Sequence, residues 1–364
     1  MGSAAEPRRP ASGRIDSLDV LKGLAALWVL MIHAEAMATH PAMVFVFNRA
    51  APLFVILIGV NGEMWWRGRA KSTTPQWSNA WAWWRNRFWR LYPPVWLTLP
   101  VWWGLAFSVP PYRHIPLSAE LLVKHLAGYL VGIGTGWFVS LAISVAVLFP
   151  VLHLAARRFG AGPVLVLGIV STAVSFAWRF TLIGSLGVFG WFTFTPRLLA
   201  HVAFGIWLAP RVARLDRRVV LGAAAVTVAY FIVPGLLGTA SPWQLAGGEG
   251  FSTSDGTAIA NRLMDLPVCV LLLAACRVVE RAEMVARPLR WLGNESYGIY
   301  LGQMLTHNAC TMLLGLTYVQ ESIDPWIYVG ILLVGAVAWV YLSNAALRLL
   351  RVSPPRAAAP SSPG

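Results

Sequence analysis

Ionisable residues lie at helical spacing in an apolar stretch near the start of the chain. Lys22 and His33 are eleven residues apart, so in a helix they share one face at about 16 Å along the axis, and Asp19 lies close to the same line. Ionisable groups inside a membrane span are costly and mark functional sites, and a histidine suits general base catalysis. Glu35 lies two residues beyond His33 on a different face. These four residues are the predicted catalytic group.

Structural explanations of the same residues stay open at this point. Lys22 can be an anchor that snorkels to the cytoplasmic edge of the bilayer. Asp19 can be a helix-start residue that interacts with the helix dipole. His33 can be a hydrogen-bonded histidine packed between helices.

A second group of candidates combines aromatic residues with arginines. The aromatic residues recur at i, i+4, i+7 and i+11 on one helical face: Trp77, Trp81, Trp84 and Phe88. The arginines lie off that face: Arg85, Arg87 and Arg90. The segment is predicted to be an interfacial amphipathic helix that ends at Pro93 and Pro94. Two arginines three residues apart can bind phosphates from one side of a helix, although plain membrane anchoring explains the pattern as well.

The composition indicates that both groups belong to a membrane protein. Of the 364 residues, 57% are hydrophobic, only 12% are charged and 19 are tryptophan, whereas a soluble domain carries about 25% charged residues. This composition excludes a disordered chain, a coiled coil and a disulfide framework, and it disfavours an ordinary soluble enzyme. The three cysteines show no metal-ligand spacing, so no metal is expected.

Ten stretches are apolar over the roughly 20 residues that a helix needs to cross a bilayer. They lie near 18–38, 43–65, 93–109, 137–156, 162–182, 195–210, 218–236, 262–279, 293–316 and 326–347. The predicted fold class is therefore an all-α polytopic membrane protein. The net charge is +14. Most of the Lys and Arg residues fall in alternate gaps between the stretches, which predicts that both termini are cytoplasmic and argues against nucleic acid as a partner.

The domain organisation follows from the same pattern. One transmembrane domain is expected at 14–351. The flanking segments 1–13 and 352–364 are rich in Pro, Ala and Ser and are predicted to be disordered tails.

The opening segment RIDSLDVLKGLAALWVLMIH resembles the start of the membrane acyltransferase 3 family. These multi-pass proteins transfer acyl groups, often acetyl, from acyl-CoA to sugars and other acceptors. The family's basic residue, followed after ten positions by histidine, appears here as Lys22 and His33. The family also carries Arg-x-x-Arg where Arg87 and Arg90 stand, so the resemblance implies that these arginines, with Arg85, bind the phosphates of acyl-CoA.

The segment from Trp137 is similar to the family's Trp-x-x-x-Leu…Phe-Pro, which implies a substrate-binding role for Trp137. Many relatives carry a glutamate six or seven residues later, where Ser144 stands in this chain. A partner for His33 must then come from elsewhere. Asp265 and Glu35 are the candidates.

The segment SYGIYLGQ resembles the family's Ser-Tyr-x-x-Tyr-Leu-x-His. Tyr300 matches, whereas Gln303 replaces the histidine, and His307 one turn later can compensate in part. The resemblance implies that Tyr300 and Gln303 bind substrate, although Tyr300 can also be a packing residue with a hydrogen-bonded hydroxyl.

Three further residues are substrate-binding candidates. Arg197 and His201 share a face at i, i+4 in a segment that resembles the family's sixth span. They form either a binding pair or an interfacial arginine beside a packed histidine. Arg49 lies in or near the second apolar stretch and is expected to pair with an acid or with a substrate group.

The resemblance implies a multi-pass cell-membrane enzyme that moves an acyl group, with acetyl expected, from acyl-CoA to a hydroxyl of a carbohydrate or of another envelope or secreted acceptor. His33 would act as the base or form an acyl-histidine. Two other classes stay open: a transporter or flippase for a glycan or lipid-linked intermediate, and an inactive sensor or scaffold.

Overall fold

The computed structural model describes residues 15–34, 41–69, 76–108, 118–130, 136–236, 255–315, 319 and 322–350. Both predicted tails and Glu35 lie outside these residues. The regular elements in the described part are all helical. The α-helices are α1 Asp16–His33, α2 Pro41–Phe47, α3 Ala50–Arg69, α4 Gln76–Ser108, α5 Ala119–Leu126, α6 Trp137–Phe159, α7 Ala161–Ala177, α8 Arg179–Thr193, α9 Leu199–Leu208, α10 Arg217–Leu236, α11 Asp255–Leu263, α12 Asp265–Val279, α13 Glu283–Asn294, α14 Ser296–Leu314 and α15 Pro325–Leu349.

Membrane spans can be assigned to only part of this helical fold. Within the described residues, Met43–Arg69, Trp137–Phe159 and Pro325–Leu349 are long and apolar enough to cross a bilayer. A fourth span results if Ala161–Ala177 and Arg179–Gly187, which meet at a bend of 73°, are counted together. The all-helical fold class agrees with the prediction. The number of ten spans and the cytoplasmic termini stay predictions.

The sequence prediction was wrong about the break at Pro93 and Pro94. Both prolines lie inside the continuous helix α4, which joins the predicted interfacial helix to the predicted third span. Proline removes a backbone donor and normally breaks a helix, but packing and side-chain hydrogen bonds can offset this in apolar surroundings. Here Val95 and Leu99, which follow the prolines in α4, are buried in the core.

Close contact between α1 and α13 fixes the position of α1. A Cβ atom on Gly23 would lie 2.0 Å from the carbonyl oxygen of Leu289, and one on Gly293 would lie 1.9 Å from the carbonyl oxygen of Asp19. Small residues permit this kind of backbone approach between membrane helices. The face of α1 around Gly23 therefore packs directly against α13.

A second glycine contact joins α3 to α9. A Cβ atom on Gly59 would lie 2.4 Å from the carbonyl oxygen of Val202, and one on Gly205 would lie 2.2 Å from the carbonyl oxygen of Ile56. This crossing sets the start of α3 beside the start of α9 and so brings together the residues of the site described next.

Candidate active site

A cavity of about 200 Å³ lies at the end of the bundle where α1 ends and where α3 and α6 begin. Its walls include His33, Trp137, Arg197, Tyr300 and Arg262. The first four are sequence-predicted site residues that lie far apart in the chain. The fold therefore brings a base, two aromatic groups and two guanidinium groups to one cavity.

Aromatic rings form much of the remaining wall. The ring centroid of Phe138 lies 5.8 Å from that of Phe54 and 5.3 Å from that of Tyr300. Trp137 packs against Phe192 at 5.4 Å. Such rings exclude water and offer flat apolar surfaces to a ligand.

The geometry of His33 leaves one ring nitrogen with a lone pair. Its Nδ1 lies 2.6 Å from the carbonyl oxygen of Val29. A carbonyl oxygen only accepts hydrogen bonds, so Nδ1 carries the proton and Nε2 of the neutral ring is the basic atom. Because His33 lines the cavity, this tautomer is suited to remove a proton from a bound hydroxyl group.

His307 is the neighbour of His33 on α14. The two imidazole centroids are 5.5 Å apart. His307 Nδ1 also lies 2.9 Å from the hydroxyl of Tyr328, which orients the His307 ring. The histidine one turn after Gln303 thus lies beside the predicted base.

Behind the cavity, Asp265 connects several helices through buried polar contacts. Its carboxylate pairs with Arg49, accepts from His201 Nε2 at 2.9 Å and accepts from Arg262 at 3.2 Å. Arg49 also donates to the side-chain oxygen of Asn261 at 2.6 Å. The partner expected for Arg49 is therefore an acid.

The contacts in this cluster differ from two predictions made from the sequence. The sequence makes Asp265 a candidate partner of His33, but its hydrogen bonds go to Arg49, Arg262 and His201. His201 is completely buried and shares Asp265 with these arginines, so it supports the wall from behind. Its neighbour Arg197 belongs to the wall itself.

Aromatic rings and a backbone carbonyl hold Arg197 in place. It donates to the carbonyl of Phe192 at 3.1 Å. Its guanidinium carbon lies 5.5 Å from the ring centroids of Trp137 and Trp191 and 5.2 Å from that of Phe192. These cation–π contacts stabilise the charge and aim a rigid donor group at the cavity.

The beginning of α1 is separate from this site. Lys22 donates to Asp19 at 2.9 Å, and their side chains are 21% and 7% exposed. Neither residue lines the cavity. Because they precede His33 by three and four turns along α1, the structure assigns them to the opposite end of that helix.

The predicted phosphate-binding arginines also lie toward that opposite end. Arg87 stacks over Trp83 at 4.1 Å, and Trp83 packs against Trp65 near the end of α3 at 5.3 Å. Arg85 and Arg90 are exposed. None of the three arginines contributes to the cavity wall.

One hydrogen bond connects the arginine segment with the cavity. The Tyr297 hydroxyl donates to the carbonyl of Leu91, the residue after Arg90, at 2.9 Å. Tyr297 lies one turn before Tyr300, which lines the cavity. The helix α14 therefore borders both places.

Sequence reasoning missed two features. The first is Arg262, although an arginine and an aspartate at i, i+3 beside an apolar segment are a recognisable sign of intramembrane polar contacts. The second is a buried contact between Glu63 and His153 at 2.6 Å, in which Glu63 also accepts from Arg67 at 2.7 Å. No spacing predicts this pair, because Glu63 and His153 are on separate helices.

Comparison with known families identifies the class of protein. Residues 15–345 match the acyltransferase 3 family, whose model is described as an acyltransferase domain. The match covers most of the chain, so the protein belongs to this family and is, in general terms, a membrane acyltransferase. Neither the curated proteins nor the solved structures contain a match.

Proposed function

We propose that the protein is an integral enzyme of the cell membrane that transfers an acyl group, with acetyl expected, from acyl-CoA to a hydroxyl group. The acceptor is a carbohydrate or another envelope or secreted molecule. The observation that carries the proposal is His33, which lines the cavity and whose Nε2 is the basic atom of the neutral ring. General base catalysis needs such a nitrogen within hydrogen-bond reach of the hydroxyl.

The two ends of the helix bundle suit the two substrates. With the predicted topology, Arg87 and Arg90 lie toward the cytoplasm, where acyl-CoA is available, and they bind its phosphates through charge-assisted hydrogen bonds. The acyl thioester then extends along α14 past Tyr297 and Tyr300 toward His33. Tyr297 and Tyr300 are separated by about 4.5 Å along the helix axis, so the donor passes from one place to the other along a single helix.

The acceptor occupies the cavity at the other end. Its ring or chain packs against the aromatic wall near Trp137 and Phe138, and Arg197 and Arg262 donate hydrogen bonds to its polar groups. His33 Nε2 removes the proton from the hydroxyl as its oxygen attacks the thioester carbonyl carbon. Holding both substrates in one closed space supplies much of the rate acceleration.

The first test compares cells that lack the protein with cells that express wild type or His33→Ala at matched membrane levels. Envelope glycans, lipids and secreted metabolites are analysed by mass spectrometry. Wild type should add an acyl group that the variant does not add, and this also identifies the acceptor. Equal rescue by both proteins would contradict the role of His33. A glycan that is missing outside the cell, without any change in acylation, would instead support a transporter.

A second test uses the purified full-length protein in detergent and measures release of the free CoA thiol from acetyl-CoA with a thiol reagent. Extracts from the knockout cells supply the acceptor. Thiol release should require wild-type protein, acetyl-CoA and the extract together. Failure to release thiol from any acyl-CoA would contradict the proposed function.

A further inference from the structure

Gln303 on α14 is buried in an unusual way. Its side chain is completely inaccessible, and neither the amide nitrogen nor the amide oxygen has a hydrogen-bond partner among the described residues. A primary amide can donate two hydrogen bonds and accept two. Buried polar groups are otherwise almost always paired, so an exception in the interior indicates a group held for another partner.

Asn308 on the same helix shows the ordinary arrangement. Its side chain is also buried, at 8% exposure, but its Nδ2 donates to the carbonyl of Met304 at 2.7 Å. The geometry of α14 thus allows a buried side-chain amide to donate a hydrogen bond to the backbone carbonyl four residues earlier. Gln303 does not do so.

The position of Gln303 indicates what its partner is. Tyr300, Gln303 and His307 are at i, i+3 and i+7 and therefore share one face of α14. Tyr300 lines the cavity, and the His307 ring lies 5.5 Å from the ring of His33. Gln303 lies between these two residues along the helix, and its buried side chain is not itself part of the cavity wall.

We propose that Gln303 binds the carbonyl oxygen of the acyl thioester and stabilises the negative charge that develops there. This inference rests on the proposed acyl transfer and names the residue that stabilises the oxyanion formed in it. Amide N–H groups are common donors to such oxyanions, and they act best when they are desolvated and already in place. A buried, unpaired amide one turn from the neighbour of His33 has both properties.

The acceptor oxygen forms a bond to the carbonyl carbon while its proton moves to His33 Nε2, and the π electrons of the carbonyl move to the oxygen that accepts from Gln303 Nε2. The oxyanion then collapses, the C–S bond breaks and the thiolate takes the proton from His33. The products are an ester and a free thiol, and both side chains return to their starting state.

The first arm of the test measures thermal unfolding of the full-length protein in detergent without any substrate. Gln303→Met removes the unpaired amide and keeps the side-chain size, so the variant should melt above wild type by about 2 °C or more. The matched control is Asn308→Leu, which removes a paired amide and should melt below wild type. A Met variant that melts below wild type, or that does not fold, overturns the inference because it shows that Gln303 has a structural partner.

The second arm measures acyl transfer. Loss of one oxyanion donor reduces kcat by about 100-fold to 1,000-fold. Gln303→Met should show this loss with little change in KM for acetyl-CoA, whereas Gln303→His, which restores a ring N–H donor, should recover most of the rate. Asn308→Leu should leave the rate within about twofold of wild type. If the transfer rate of Gln303→Met also lies within about twofold of the wild-type rate, the inference is overturned.

A third arm separates this inference from the proposed function. The probes are the ketone analogue of acetyl-CoA, in which CH₂ replaces sulfur, and S-ethyl-CoA, which lacks the carbonyl. The ketone should raise the melting temperature of wild type more than S-ethyl-CoA does, and Gln303→Met should lose that difference. If the difference persists in the variant, Gln303 does not bind the carbonyl. If neither probe raises the melting temperature of wild type, the protein does not bind acyl-CoA, and the proposed function itself is refuted.

Discussion

Asp265 is the residue whose loss should disturb the site most. Its carboxylate is completely buried and contacts Arg49, Arg262 and His201. The Arg49 and Arg262 side chains are themselves only 4% and 6% exposed, so water cannot replace the lost carboxylate. Breaking a buried ion pair by removing one partner costs about 3–5 kcal/mol, because the remaining charge is left in a low-dielectric interior. For Asp265→Asn we expect about 3 kcal/mol, since the amide oxygen still accepts one hydrogen bond.

The assay is unfolding of the full-length protein in detergent, monitored by tryptophan fluorescence and by size-exclusion chromatography. Glu120→Gln is the matched control. Glu120 pairs with Lys124 on an exposed surface, with side chains 74% and 45% exposed, and its replacement should leave unfolding unchanged. A second variant, Arg49→Gln, should be destabilised as well. The double variant should lose less stability than the two single losses combined, because both remove the same contact.

The result that refutes this reasoning is a loss below about 1 kcal/mol for Asp265→Asn, the size of an ordinary hydrogen bond. In that case the carboxylate would not be neutralising buried arginines. Because Arg262 belongs to the cavity wall, the variant should also lose acyl transfer when it is assayed well below its melting temperature. Full transfer would show that the cluster does not position the wall.

The remaining predictions concern separate parts of the molecule. His33→Gln should lower kcat by about 100-fold or more, as expected for loss of a general base, without changing KM for acetyl-CoA; steady-state thiol release measures both constants, and an unchanged kcat would contradict the role of His33. Arg87→Gln and Arg90→Gln should have the opposite effect, raising KM with kcat nearly preserved, because phosphate binding far from the reacting carbon is lost. Gly23→Ala should destabilise the protein by about 1–3 kcal/mol, since a Cβ there meets the backbone of α13. Gly222→Ala, where a Cβ meets open space, is the control and should be neutral or stabilising in the same melting assay.

Several parts of this arrangement could be predicted because they depend on residue type and helical period. The charge-poor composition indicated a membrane protein, and the eleven-residue spacing placed Lys22 and His33 on one face of α1. Motif resemblance also selected Trp137, Arg197 and Tyr300, which are three residues of the cavity wall.

Other parts could not be predicted, because they depend on contacts between residues far apart in the chain. Arg49 and Asp265 are 216 residues apart, and nothing in either local sequence identifies the other. The continuity of α4 through Pro93 and Pro94 likewise depends on the packing of Val95 and Leu99 rather than on local preference. The orientation of His307 depends on Tyr328, which belongs to another helix.

The sequence by itself determined the helical character of this protein, the membrane class and the kinds of side chain available for catalysis. These properties follow from composition and period, which are local and do not require a partner. Only the tertiary structure decided that His33 lines a cavity while Lys22 does not, and that Asp265 neutralises arginines rather than pairing with His33. It also decided that the buried Gln303 amide has no hydrogen-bond partner within the part of the chain that the structure describes. Close approach, burial and hydrogen bonding between helices are properties of pairs of residues, and only the packed bundle sets which pairs form.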